Sequence, residues 1–217
     1  MRSATDIYSE CIQQLGLPAR AEVERTVVIE PIAQWVHERC GEDPFVLGVS
    51  GAQGSGKSSF CRLLATWLQA AHGRRVVTLS IDDLYRTKSE REALAQTVHP
   101  LCAVRGVPGT HDVALGRRVL QALCEASGDS HTYVPRFDKR IDDRVPTEEW
   151  TLIQGRPDVI LFEGWCVGAS PPPPSTQPTN DRERRDDPDG VWRNWSDAAL
   201  ADDSGDVFDW LQALVMI

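Results

Sequence analysis

The chain has 217 residues, 41% apolar and 25% charged, the make-up of one folded domain that holds together without disulfides. A formal charge of −9 excludes a general nucleic-acid or anionic-membrane binder; any anionic substrate needs cations gathered locally. The apolar runs are far shorter than a membrane span, Met1–Asp6 opens no signal segment, and six cysteines without a CxxC pair read as thiols of a reducing compartment, the cytoplasm.

Residues 4–17 and 20–40 are predicted helices, the second from Val23, Val27, Val28, Ile32, Trp35 and Val36 at intervals of three and four. Phe45–Val49 is a short buried strand. Glycines follow, then an amphipathic helix through Phe60, Leu63, Leu64, Trp67 and Leu68 that stops near Gly73. Val76–Ile81 is a second strand. Weak helical character covers 86–98, and residues 99–110 form a Pro/Gly-rich loop. Another helix runs from Val113 to near Gly128. The charged segment 130–146 is irregular, Glu148–Ile153 a short helix, and Val159–Phe162 a third strand. Residues 169–190, with the proline run Pro171–Pro174 and a charged string, are expected to form a mobile loop. Leu214–Ile217 begins a further strand. Alternating strands and helices predict an α/β fold with a mostly parallel sheet, whose ligand sites lie beyond the carboxyl ends of the strands.

Chemistry clusters at those ends. Gly51-Ala52-Gln53-Gly54-Ser55-Gly56-Lys57-Ser58 fits G-x-x-x-x-G-K-[ST] between a strand and a helix. Glycines there let backbone N–H groups turn toward phosphate oxygens, and the helix start adds its positive dipole end. Lys57 is suited to the β- and γ-phosphates of ATP, Ser58 to Mg²⁺, and Ser59 continues the nucleotide-binding set. Asp82 and Asp83 end the second strand, either as a base toward a hydroxyl or as a helix cap, one role for each being compatible. Glu163 ends the third strand as a Walker B-like acid for Mg²⁺ or as a structural ion-pair partner. Between them lie Arg105, His111 and the run Pro135–Arg140. Together these cations suggest an anion pocket, in which Arg can clamp a carboxylate bidentately. Twenty of the 23 basic residues are Arg, and one of the three lysines is Lys57.

The order of the phosphate loop, Ser80-Ile81-Asp82-Asp83-Leu84-Tyr85, Pro135-x-Phe137-Asp138 and Phe162-Glu163-Gly164-Trp165 resembles the phosphoribulokinase/uridine kinase group of P-loop kinases. Within that group, Arg105-Gly106-x-Pro108-Gly109-Thr110-His111-Asp112 and Phe162-Glu163-Gly164-Trp165-Cys166-Val167-Gly168 are similar to the D-glycerate 3-kinases. The resemblance covers roughly residues 20–217. It implies a P-loop NTPase-type three-layer α/β/α fold in one kinase domain over 1–217, with N-terminal helices in 1–41. It further implies ATP-dependent phosphorylation of D-glycerate, a small hydroxy acid, to 3-phosphoglycerate. Lys57, Asp82 and Glu163 would be catalytic, Ser58 and Glu163 would hold Mg²⁺, and Asp83, Tyr85, Arg105, His111, Asp138 and Lys139 would line the acceptor side. Family members continue beyond the Leu214–Ile217 strand, so the resemblance implies a C-terminal part missing from these 217 residues. The alternatives are a kinase for a nucleoside, pentulose phosphate or pantothenate, or a nucleotide-binding protein without turnover.

Overall fold

The computed structural model describes residues 2–170 and 181–217. Four parallel strands form the central sheet in the order β2 (Val76–Ser80), β7 (Val159–Gly164), β1 (Phe45–Ser50), β8 (Ala213–Met216). β1 and β7 are buried along their whole length, which is why they read as continuous apolar runs. Successive side chains serve opposite layers. Phe45, Leu47, Val49, Val159 and Leu161 join one core cluster, while Val46, Ile160 and Phe162 join the other. Each fully buried Leu or Ile contributes about 1.5–3 kcal/mol.

One layer comprises α1 (Ala4–Gln14), α2 (Arg20–Glu24), α3 (Glu30–Arg39) and α4 (Lys57–His72), packed through Tyr8, Leu64, Trp67 and Leu68. The opposite layer uses α6 (Val113–Cys124) and α8 (Val191–Asp206), with Leu120, Leu123, Leu200 and Phe208 in its core. α5 (Lys88–Thr97) follows β2, after a 3₁₀ turn over Ile81–Leu84. The three-layer α/β/α arrangement expected from the sequence is present.

Several local expectations need correction. The helix expected over 20–40 contains a π-helical turn, Arg25–Ile29, between α2 and α3. The segment 130–146 is not irregular. β3 (His131–Val134) pairs antiparallel with β6 (Thr151–Gln154), and β4 (Phe137–Asp138) with β5 (Asp143–Arg144). β6 replaces most of the helix expected over Glu148–Ile153, leaving only a 3₁₀ turn at Thr147–Glu149. Its side chains alternate against β3, and that pairing overrides the short stretch's helical pattern. Of the loop expected over 169–190, residues 171–180 lie outside the described residues. The charged string Asp181–Asp186 forms α7, and the buried Asp187 carboxylate accepts the Trp192 and Arg193 N–H groups at the start of α8.

The candidate active site

β1 and β7 run side by side and end together, pairing Val49 with Glu163 and Ser50 with Gly164. The phosphate loop leaves β1 at this edge and enters α4. Gly54 and Gly56 take φ values of 80° and 96°, the left-handed region that turns backbone N–H groups into the concave side of the loop. α4 has no side-chain cap, so its first N–H groups are open to an anion. A Cβ on Gly51 would run into the Ile217 carbonyl and lie 2.8 Å from Ser55 Oγ, so the tight entry to the loop requires glycine. Lys57 Nζ donates to the Ala52 carbonyl at 2.9 Å, holding the ammonium over the loop. Ser58 Oγ donates to Glu163 Oε1 at 3.0 Å. A hydroxyl and a buried carboxylate in contact at the end of two strands form an oxygen donor set suited to a hard divalent cation.

Across from the loop, Ser80 Oγ accepts the Asp82 N–H and starts the 3₁₀ turn that carries both aspartates. Their environments differ. Lys139 Nζ donates to Asp82 Oδ2 at 2.7 Å. Burial pushes the Asp82 carboxyl up, but the hydrogen bond and charge of Lys139, with the Tyr85 hydroxyl, hold it below the usual carboxylate range. Asp83 turns the other way and accepts the Phe137 N–H at 2.9 Å. Burial raises its carboxyl above the ordinary range. Asp83 therefore fastens β4 to the 3₁₀ turn and does not face the phosphate loop.

Tyr85 stacks on His111, with ring centroids 4.6 Å apart and 16° between planes. His111 is 2% exposed, and burial pushes it down to about 4, so the imidazole is neutral. It supports Tyr85 from behind and does not line the acceptor cavity. Burial, then Asp82, raises the Tyr85 phenol above its ordinary range, so it remains a hydrogen-bond donor to Asp82.

One cavity of about 460 Å³ brings together Gln53, Gly54, Lys57, Ser58, Asp82, Tyr85, Arg105, Lys139 and Glu163. Two of its walls, Trp165 and Val104, carry no charge and were not singled out as site residues in the sequence. Both are substantially exposed, which marks them as rim rather than core. Arg105 is paired with Asp142 and lies 5.6 Å from the centre of the Phe137 ring. Asp142 also binds Arg91, which is fully buried, at 2.8 Å. Its φ of 56° is the one left-handed value among described residues other than glycine. Asp142 thus sits at a special backbone position and orients two arginines, a role that only its crowded charged setting hinted at. Asp138, expected on the acceptor side, instead takes Arg140 in an exposed ion pair, and its carboxyl is held down to about 2 by the hydrogen bonds from Arg140. A slightly larger cavity, about 490 Å³, lies between α1, α4 and the β3–β6 ribbon; it includes Asp83 but none of the phosphate loop, so chemistry favours the smaller one. Ser55, Gly56 and Ser59 line a third recess on the other side of the loop.

A P-loop before α4, an acid closing the neighbouring strand and an acidic turn after β2 occupy one sheet edge. An uncharacterized kinase of Schizosaccharomyces pombe, mug58, is 34% identical over 154 residues, 67% of this chain and 55% of that protein. The chloroplastic D-glycerate 3-kinase of Arabidopsis thaliana is 34% identical over 179 residues, 74% of this chain and 38% of that one. The chain is thus similar to P-loop kinases, a D-glycerate 3-kinase among them. Among solved structures, D-glycerate 3-kinase from Cryptococcus neoformans superposes with a TM-score of 0.60 at 27% identity, covering 87% of this chain and 72% of that one. Pantothenate kinases also match, including one from Shewanella denitrificans at 28% identity over 166 residues, 75% of this chain and 48% of that one. No family model matches the chain. The chain spans about half the length of the curated relatives it matches. Among the described residues no helix is long and apolar enough to cross a membrane.

Proposed function

We propose that this P-loop kinase transfers the γ-phosphoryl group of ATP to the 3-hydroxyl of D-glycerate, giving 3-phosphoglycerate. The observation that carries the reading is that Lys57, Ser58 and Glu163 share one cavity with Asp82 and Arg105. The residues fit a bound Mg·ATP. The Gly51 cradle excludes a side chain, the α4 N-terminus is uncapped, and Ser58 and Glu163 present oxygens to a metal. Bound Mg·ATP would supply the phosphoryl group and a stabilised leaving group.

The chain's own residues then divide the work. Lys57 and the loop N–H groups would hold the β- and γ-phosphates, and Ser58 and Glu163 would hold the metal. Asp82, kept ionised by Lys139 and Tyr85, accepts the proton of the attacking hydroxyl and orients its oxygen. Arg105, seated over Phe137, binds the substrate carboxylate. Trp165 and Val104 narrow the mouth and reduce water access. One kinase domain over 1–217, working in the reducing cytoplasm, goes with this reading.

Pantothenate also carries a carboxylate and a hydroxyl, and pantothenate kinases are among the relatives, so it is the competing acceptor. A panel of D-glycerate, pantothenate, a nucleoside and a pentulose phosphate in a coupled ADP assay separates them. The reading requires the highest kcat/KM for D-glycerate.

A further inference from the structure

The cavity of about 490 Å³ beside β2 takes no part in the transfer described above. Its volume falls within the ~300–1,000 Å³ usual for small-molecule pockets. β2 forms one wall as the outermost described strand on its side of the sheet, so backbone groups along its free edge have no strand partner. α1 and α4 form the floor, and Val134, Thr151 and Ile153 of the β3–β6 ribbon the far wall. Both ends are closed. Before β2 the Arg75 guanidinium donates to the Gln154 carbonyl, and after it Asp83 accepts the Phe137 N–H. An extended peptide has no way through along β2, whereas a compact ligand has room.

Charge selects the ligand. Arg62 of α4 and Arg136, just ahead of β4, both line the cavity, and neither is in an ion pair among the described residues. Around the catalytic edge the arginines are taken: Arg86 by the Gly109 carbonyl, Arg91 and Arg105 by Asp142, Arg140 by Asp138 and Arg144 by Asp112. The two acids of the cavity are engaged as well, Glu10 with Arg2 and Asp83 with the Phe137 N–H. Two guanidinium groups without an ion pair on one cavity make a local cationic site in a chain of net charge −9. Guanidinium matches the oxygens of a phosphate with paired N–H donors. Thr78, Gln14 and Gln69 add uncharged donors, while Ile7, Val77 and Ile153 supply apolar contact for a short carbon body. We propose that this cavity is a second ligand site, taking a small phosphate-bearing metabolite whose phosphate lies between Arg62 and Arg136. Arg136 adjoins Phe137, whose ring lies 5.6 Å from the Arg105 guanidinium and 5.3 Å from the Tyr85 ring, so an occupant stands one residue away from the acceptor pocket. The site is separate from the phosphate loop and does not depend on which acceptor the catalytic cavity takes.

The test uses two probes, inorganic phosphate and glycerol 3-phosphate, by calorimetry on the Lys57→Ala protein, whose phosphate loop lacks its cation. Both should bind, the ester several-fold more tightly because the apolar wall adds contact. Arg62→Ala in that background should weaken both by about tenfold or more, as expected for loss of a charge-assisted hydrogen bond. Arg62 is exposed on α4, so this variant leaves the core intact. Ala65→Leu keeps both arginines but fills the cavity, and should weaken the ester likewise. Arg118→Ala, which removes an exposed arginine of α6 outside the cavity, should change neither probe. Absence of binding in the Lys57→Ala protein, equal affinity for the two probes, or binding that survives Arg62→Ala overturns the proposal. So does a loss in Arg118→Ala as large as that in Arg62→Ala, which would mark surface charge alone.

Discussion

Lys139 Nζ lies 2.7 Å from the Asp82 carboxylate, across 57 residues of sequence. The contact joins the turn after β2 to the turn between β4 and β5, and it sets the charge of the carboxylate closest to the acceptor side of the cavity. A base must be ionised to accept a proton, and a buried carboxylate without a cation drifts toward the neutral form.

Asp82→Asn keeps the size and removes the charge. It should lower kcat by about 10²–10⁴-fold, the usual range for loss of a positioned base, with nucleotide affinity retained. A coupled ADP assay and calorimetry on the same preparation check both halves. Full activity in this variant removes Asp82 from the mechanism.

Lys139→Met should shift the pH profile. In the wild type the Asp82 carboxyl is held below the ordinary range, so the reactive ionised form persists into acid. Without Lys139, burial becomes the dominant influence and the carboxyl rises. The acid limb of the kcat profile should therefore move toward neutral pH. The same sign governs stability: the contribution of a depressed carboxylate is present above its unfolded value and lost as pH falls through its folded value, so it shrinks in the variant. An unmoved acid limb contradicts the assignment.

Much of this site was legible in the sequence because its determinants are local. The phosphate loop, Asp82 and Glu163 each follow an apolar strand directly, and parallel strands deliver their ends to one edge. Local spacing does not say which way a side chain turns. Asp82 and Asp83 are neighbours, yet one meets Lys139 and the other the Phe137 backbone. Asp138 stood in a promising segment but was captured two residues on by Arg140. His111 was expected at the substrate and is stacked behind Tyr85 instead. The β3–β6 ribbon escaped because its pairing joins residues about twenty apart, outside any helical or strand window. α8 lacks a strong apolar stripe, and its Trp195 ring lies against Gly109 in the loop that carries Arg105.

That contact gives a further prediction. Gly109 has a φ of 87°, and a Cβ there would run into the Trp195 ring, with Cζ3 at 2.7 Å and Cζ2 at 2.8 Å. Its carbonyl accepts from Arg86 Nε at 3.1 Å. Gly109→Ala therefore faces both a strained backbone and a blocked site, and should cost about 1–3 kcal/mol. The acceptor KM should rise while nucleotide affinity holds, because Arg105 and Gly106 lie in the same loop. Steady-state kinetics and a melting curve read the two effects separately.

Asp142→Ala should destabilise the fold. Arg91 is fully buried and paired with Asp142 at 2.8 Å, so the variant leaves a buried guanidinium without its anion. Its remaining bond to the Asp142 carbonyl and that to the Arg86 carbonyl soften the loss. A cost of about 2–3 kcal/mol is expected, visible as a lower denaturant midpoint. An unchanged midpoint contradicts the view that Asp142 holds this corner together.

The most direct measurement is phosphorus NMR of the purified protein turning over Mg·ATP with D-glycerate. The account predicts 3-phosphoglycerate and ADP in equal amounts, and neither product in Lys57→Ala. Binding of Mg·ATP without any phosphorylated glycerate, or turnover confined to another acceptor such as pantothenate, contradicts it.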